Sequence, residues 1–213
     1  GGKIWGEVSE GFLSTLKNNL TAGGKTYRPV SLWVNWPVTD NSKQHLILGG
    51  GEKFLHPNVD PSLLSGIMLN PMQQSEPSKI ALFAGAQYTW KQWKSEEEAK
   101  KLNDIAFNFV ENGHFEDSKV SAAFRELGKH MINQNMDGRV VKLEESVELA
   151  PKLTDFMTKL KAGQDVTAER ATLRAEFAKI KEAAELYKAS GDKKMVAQIH
   201  YWLDNAIDQM NAL

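Results

Sequence analysis

Two residues with acid–base side chains follow a run of three glycines. Glu52 and His56 come just after residues 49–51, and a carboxylate and an imidazole can serve as base and acid. Consecutive glycines also let backbone amides approach an anion. The segment lacks the second glycine and the Lys-Ser/Thr pair of a phosphate loop, and a hairpin turn explains the glycines as well. One hypothesis is therefore an enzyme for a phosphorylated or glycosidic substrate, with Glu52 and His56 as its acid–base pair.

Aromatic and basic side chains in the first 94 residues form a second candidate site. The proposed ligand-binding residues are Tyr27, Arg28, Trp33, Tyr88, Trp90, Lys91 and Trp93. In a strand, Trp33 points away from the apolar face of its neighbours, so we expect an exposed ring. A base stacked on such a ring contributes roughly 1–3 kcal/mol, while lysines neutralise phosphate. The main hypothesis is a non-enzymatic protein that binds an extended ligand, with single-stranded nucleic acid as the preferred one.

A competing interpretation places the same tryptophans in the hydrophobic core. Large aromatic side chains are mostly buried in globular proteins. Helices packed on both faces of a sheet would cover Trp33, and Trp90 with Trp93 would form a contact between two lobes. In that case the aromatic cluster stabilises the fold and binds nothing.

Neither a metal ion nor a cofactor is predicted. The five histidines include no pair at the i, i+4 spacing of a helical zinc site. The chain has no cysteine, which excludes disulfides, thiolate zinc sites, iron–sulfur clusters and cysteine nucleophiles. Ser65 lacks the glycine two positions earlier that a nucleophile elbow requires. Outside the hypothesis for Glu52 and His56, no catalytic residue is assigned.

The overall composition is that of a soluble globular chain. Of 213 residues, 41% are hydrophobic and 25% are charged, and the net charge is −1. No apolar run reaches the length that a membrane-spanning helix needs. The near-zero charge means that nucleic acid would have to bind a local basic patch. We expect no membrane partner and favour the cytoplasm over export.

The composition changes near residue 94. Six of the seven prolines and five of the six tryptophans precede Ser95, and the net charge is +3 before it and −4 from there on. We predict an α+β lobe at residues 1–94 and a helical lobe at residues 95–213, packed together as one compact unit. The helical lobe is a scaffold or, in a third hypothesis, the surface by which an adaptor or assembly protein binds a protein partner.

The first lobe is predicted to contain a small, mostly antiparallel sheet. Ser9 caps a short helix that ends at Gly23. Strands are then predicted by alternating polarity and turn residues at residues 27–38, 45–48 and 79–88. Between the second and third strands, residues 55–77 are predicted as a proline-rich loop with one helical turn.

The second lobe is predicted to be helical because its apolar residues recur with a period of 3.6. Ser95 and Glu98 form a capping box for a helix that ends at Gly113. Further helices are predicted at residues 117–136, from Pro151 to Gly163, from Asp165 or Thr167 to Gly191, and from a cap at Asp192 onward, with a short strand at residues 139–143. Short loops join the last three helices, so we expect an antiparallel helical hairpin or three-helix packing.

Overall fold

A computed structural model describes residues 7–40, 45–52, 55–131, 146 and 148–211 of the chain. Within these residues, seven α-helices and two strands form the fold. In chain order they are α1 (Glu10–Thr21), β1 (Val30–Pro37), β2 (Leu64–Asn70), α2 (Ser75–Trp90), α3 (Glu96–Asn112), α4 (Lys119–Gly128), α5 (Leu149–Lys161), α6 (Thr167–Ser190) and α7 (Lys193–Asn211). A 3₁₀ turn, Pro61–Leu63, directly precedes β2. None of the helices in these ranges is both long and apolar enough to cross a membrane.

The sheet confirms the broad α+β class, but its strands are parallel and not antiparallel. Ser31 pairs with Gly66, and Trp33 pairs with Met68. A tight hairpin joins only antiparallel strands, whereas the long connection through residues 38–63 brings the chain back to the same end of the sheet. Residues 45–48, predicted as a strand, have none of the strand pairing that β1 and β2 show.

The third predicted strand, residues 79–88, is part of helix α2. The alternation of Ile80, Leu82 and Ala84 suggests period two, but the fully buried side chains include Ile80, Ala84 and Tyr88. That spacing of four places them on one face of a helix. Alanine, which occurs three times in this segment, also favours helix over strand.

Several helix ends are confirmed at the predicted residues. The Oγ of Ser9 accepts a hydrogen bond from the amide of Phe12 at the start of α1. Ser95 caps α3 in the same way, although the Glu98 carboxylate accepts from the Lys94 amide and not from Ser95 itself. Gly113 ends α3 with a φ of 74°. These bonds join residues within one helical turn, which explains why sequence alone located them.

Other helix boundaries differ from the prediction. Helix α4 is capped by Ser118 and ends at Gly128, short of residue 136. The predicted strand at residues 139–143 lies outside the described residues. The start of helix α6 agrees with the prediction, because the helix begins at Thr167, one of the two residues proposed. The amide and hydroxyl of Thr167 both donate to Asp165 Oδ1.

The last two helices form the predicted hairpin. Only Gly191 and Asp192 separate α6 from α7, and the two helices pack against each other. Helix α6 also contacts α4 and α5, while α7 reaches α2. The hydrophobic core contains residues from both sides of Ser95, including Trp36, Trp93, Phe124 and Tyr187. The boundary at residue 94 stays a prediction.

Glu126 on α4 is buried and lies at the centre of a cluster of three basic side chains. Its carboxylate oxygens lie 3.0 Å from Lys179 Nζ, 3.2 Å from Lys129 Nζ and 3.6 Å from His130 Nε2. The nearby imidazole of His130 and then the two lysine ammonium groups outweigh the effect of burial, and they lower the pKa of Glu126 to about 2. The cluster ties α4 to α6.

This cluster predicts a loss of stability in acid. Because the pKa of Glu126 falls from 4.5 to about 2 on folding, its stabilisation is complete above pH 4.5 and is lost as the pH drops toward 2. We expect Glu126→Gln to lower the melting temperature at pH 7. Between pH 4.5 and pH 2, the melting temperature of this variant should fall less than that of the wild type. Melting curves followed by circular dichroism at several pH values measure this effect.

The exposed Glu182 on α6 provides the matched control. Glu182→Gln should leave both the melting temperature and its pH dependence close to those of the wild type. Parallel acid profiles for wild type and Glu126→Gln would contradict the prediction.

Candidate functional site

The two faces of the sheet differ in what they contact. Val34 and Trp36 are buried on the face that packs toward the core, where α2 lies against both strands. The opposite face carries Trp33 and its pairing partner Met68, which are 64% and 55% exposed. Side chains alternate along a strand, so Asn35 lies on the same face as Trp33.

Asn35 is hydrogen-bonded to two other side chains on this open face. Its Oδ1 accepts hydrogen bonds from Trp33 Nε1 at 2.7 Å and from Asn70 Nδ2 at 3.1 Å. The second bond crosses from the end of β1 to the end of β2. These two bonds use the amide oxygen of Asn35 and the amide nitrogen of Asn70. The amide nitrogen of Asn35 can therefore donate to a ligand, and the amide oxygen of Asn70 can accept from one. We call Trp33, Asn35 and Asn70 the amide–indole cluster.

The bond between Asn35 and Asn70 lies near the carboxyl ends of the two parallel strands. In sheets of this kind, ligands bind beyond these ends because the loops that follow each strand meet there. The loop after β1 contains buried Val38 and Thr39 and then the exposed carboxylate of Asp40. The cluster therefore provides a flat ring and two amides on this face, and the carboxylate of Asp40 follows the end of β1 by three residues.

The other predicted binding residues do not join this cluster. Trp90 is 91% exposed and, with Lys91, borders a groove of about 340 Å³ beside the beginning of β2, at the end of the sheet opposite Asn70. A ligand-binding role for Trp90 and Lys91 stays a prediction.

Tyr27 and Arg28 precede β1, at the same end of the sheet as that groove. The hydroxyl of Tyr27 donates to the carbonyl of Leu63 at 2.5 Å, and Lys17 Nζ lies 5.5 Å from the ring centre. Arg28 is exposed. The ring of Tyr27 is thus engaged by its own protein.

Tyr88 and Trp93 require a correction, because both rings are 1% exposed. The ring centres are 4.7 Å apart. Trp93 Nε1 donates to the carbonyl of Leu55 at 3.0 Å. The Tyr88 hydroxyl donates to the backbone carbonyl of His56 at 2.8 Å. Burial raises the pKa of Tyr88 to about 12. For these two residues the core interpretation is right, and neither ring can stack on a ligand.

The glycine run is packed against the rest of the protein. All three glycines are buried, and Trp36 Nε1 donates to the carbonyl of Gly49 at 3.1 Å. A Cβ on Gly50 would come within 3.2 Å of Ala84 and 3.1 Å of Asn103, so glycine allows the loop to approach α2 and α3.

The proposed acid–base pair lies beside this run. His56 Nε2 lies 3.3 Å from a carboxylate oxygen of Glu7. An acid–base role for Glu52 and His56 stays a prediction. In the described ranges, no group of three or more His, Asp or Glu side chains could hold a metal ion.

Sequence reasoning missed Asn35, Asp40 and Asn70. A signal was present, because Asn35 is a polar residue inside an apolar strand and has the same parity as the exposed Trp33. Asn70 lies 35 residues away, in a segment predicted as a loop. Without the pairing of the strands, nothing in the sequence brought the two amides together.

Two family models match the chain. Residues 1–129 match the model described as β-N-acetylglucosaminidase. Residues 148–209 match a model described as hyaluronidase post-catalytic domain-like. The amide–indole cluster and Asp40 lie in the first matched region, and α5, α6 and most of α7 lie in the second.

Solved structures resemble this chain over almost its full length. CpGH84D is 26% identical with a TM-score of 0.76, and the match covers 97% of this chain and 33% of that protein. A mutant of the Thermobaculum terrenum O-GlcNAc hydrolase is 20% identical with a TM-score of 0.71, covering 99% of this chain and 41% of the hydrolase. The chain therefore spans less than half the length of either protein.

These matches contradict the nucleic-acid hypothesis. A chain whose first 129 residues match a β-N-acetylglucosaminidase model is related to proteins that act on sugars, and not to nucleic-acid binders. The prediction of a non-enzymatic, nucleic-acid-binding protein was wrong. The stacking argument went wrong because a flat ring suits a base and a sugar equally. The glycosidic hypothesis agrees better with the matches.

Proposed function

The chain belongs to the β-N-acetylglucosaminidase family, and on that premise we propose that its amide–indole cluster recognises an N-acetylglucosamine residue of a glycosidic substrate. The observation that carries the proposal is the hydrogen-bonded group of Trp33, Asn35 and Asn70, whose two amides lie near the carboxyl ends of the strands. Family membership supports the identity of the sugar, and the geometry of the cluster supports the site at which the sugar binds.

The chemistry of the cluster suits a neutral sugar. A sugar ring has an apolar face that can lie against the exposed indole of Trp33, and a rim of hydroxyls that pair with amides. The Asn35 amide nitrogen is available as a donor, and the Asn70 oxygen as an acceptor. The three side chains carry no charge, which favours a glycosidic substrate over a phosphorylated one.

The roles of the amides and of Asp40 differ. Amides neither gain nor lose protons near neutral pH, so we assign recognition and not proton transfer to Asn35 and Asn70. Glycoside hydrolysis ordinarily depends on carboxyl groups that flank the scissile bond. We propose that the exposed Asp40 accepts hydrogen bonds from sugar hydroxyls at the same edge.

Removing one amide should weaken sugar binding without unfolding the protein. We expect Asn70→Ala to weaken binding of N-acetylglucosamine about tenfold, because it removes one ligand contact and the bond that orients Asn35. Asn35→Ala should have an effect at least as large, because Asn35 contacts both other members. Isothermal titration calorimetry with N-acetylglucosamine measures these affinities.

The matched control is Asn19→Ala, which removes an exposed amide from α1. This variant should bind as the wild type does. Wild-type protein that does not bind the sugar would overturn the proposal, and so would unchanged affinity in both Asn35→Ala and Asn70→Ala.

A further inference from the structure

Two hydrogen bonds join α7 to the first turn of α2. Gln198 Oε1 accepts from the amide of Glu76 at 2.8 Å, and Gln198 Nε2 donates to Ser75 Oγ at 3.1 Å. The first amides of a helix have no partner within the helix. Gln74, at the N-cap of α2, makes no side-chain capping bond. Gln198 therefore caps α2 from a helix more than 120 residues away along the chain.

The capped turn is tied to the segment that carries Asn70. Only residues 71–74 separate Asn70 from the start of α2. Ser78 Oγ accepts from the amide of Met72 at 3.0 Å and donates to the carbonyl of Gln74 at 2.8 Å. Met72 is buried, and its sulfur accepts from the amide of Ile47 at 3.2 Å. Movement of the first turn of α2 would therefore move Asn70.

The backbone position of Gln198 is itself well defined. Met195 and Ile199, on either side of it along α7, are 1% and 0% exposed in the core. Gln198 belongs to the region that matches the post-catalytic domain model, and Ser75 and Glu76 belong to the β-N-acetylglucosaminidase region. The contact thus links one matched region to the site segment of the other.

We infer that Gln198 is a positioning residue for sugar recognition: by capping α2 it holds the segment after β2 so that Asn70 stays within hydrogen-bonding distance of Asn35. The inference rests on the proposed function of the amide–indole cluster. If the inference holds, helix α7 contributes to sugar recognition, although Gln198 itself contacts no sugar.

The test compares Gln198→Leu with Gln198→Glu. Leucine removes both bonds, so we expect amide hydrogen exchange in residues 70–78 to become about fivefold faster, with a similar loss of affinity for N-acetylglucosamine. Glutamate still accepts from the Glu76 amide and, as an anion, is favoured at a helix N-terminus. We therefore expect Gln198→Glu to restore both values to near those of the wild type. Leucine has a volume similar to that of glutamine, so a role in packing alone would leave Gln198→Leu close to the wild type.

Hydrogen exchange of the unliganded chain separates the inference from the proposed function. Unchanged exchange in residues 70–78 of Gln198→Leu overturns the inference, even if the wild type binds the sugar. Faster exchange with unchanged affinity overturns it too, because the segment would then move without affecting recognition. A wild-type chain that does not bind the sugar overturns the proposed function and, with it, the role of Gln198 in recognition.

Discussion

Replacing Trp93 with alanine is expected to destabilise the protein by about 3–5 kcal/mol, the usual cost of removing a large aromatic side chain from a core. The indole is 1% exposed and packs on Tyr88. Its Nε1 donates to the carbonyl of Leu55, so truncation also leaves a buried carbonyl without that donor. Chemical denaturation followed by circular dichroism gives the free energy of unfolding.

Trp90 offers a control of the same residue type, three positions earlier in the chain. Its side chain is 91% exposed, so Trp90→Ala should change the free energy of unfolding by no more than about 0.5 kcal/mol. Equal losses in the two variants would mean that the burial assigned to Trp93 is wrong. The pair also tests the core interpretation of the tryptophans directly.

Gly128→Ala is expected to cost about 1–3 kcal/mol through overpacking. Gly128 is the last residue of α4, and a Cβ there would lie 2.3 Å from Cζ of Phe107. Phe107 cannot easily move away, since it is 2% exposed and packs edge-on against Phe124. The same denaturation measurement reports the change.

Gly11→Ala serves as the opposite case. Gly11 lies in helix α1, and nothing lies within 4 Å of the position its Cβ would take. Alanine is the better helix former, so this variant should gain about 0.5–1 kcal/mol. If Gly128→Ala is as stable as the wild type, α3 and α4 do not pack as closely as described.

The exposed tryptophan on β1, Trp33, belongs to a proposed sugar site and not to a nucleic-acid site. Its exposure was expected, but its neighbours are amides and not the lysines that a phosphate backbone requires. The aromatic residues of the first lobe therefore have two different roles. Trp93 and Tyr88 stabilise the core, and Trp33 belongs to the proposed sugar site.

The amino-acid sequence by itself determined the helices that begin and end with local signals. Ser9, Ser95 and Asp192 cap helices at the predicted positions, because each capping bond joins residues no more than three apart. The apolar period of 3.6 identified α6 and α7 for a similar reason, since every turn of a helix repeats the same pattern. These features depend on neighbours along the chain.

Only the tertiary structure decided which strands pair, which rings are buried and where the site lies. Trp93 donates to the carbonyl of Leu55, which is 38 residues away, and Asn35 meets Asn70 across 35 residues. The alternation along β1 shows that its two faces differ, but the elements that cover either face come from distant parts of the chain. Burial and recognition therefore depend on contacts that no local pattern encodes.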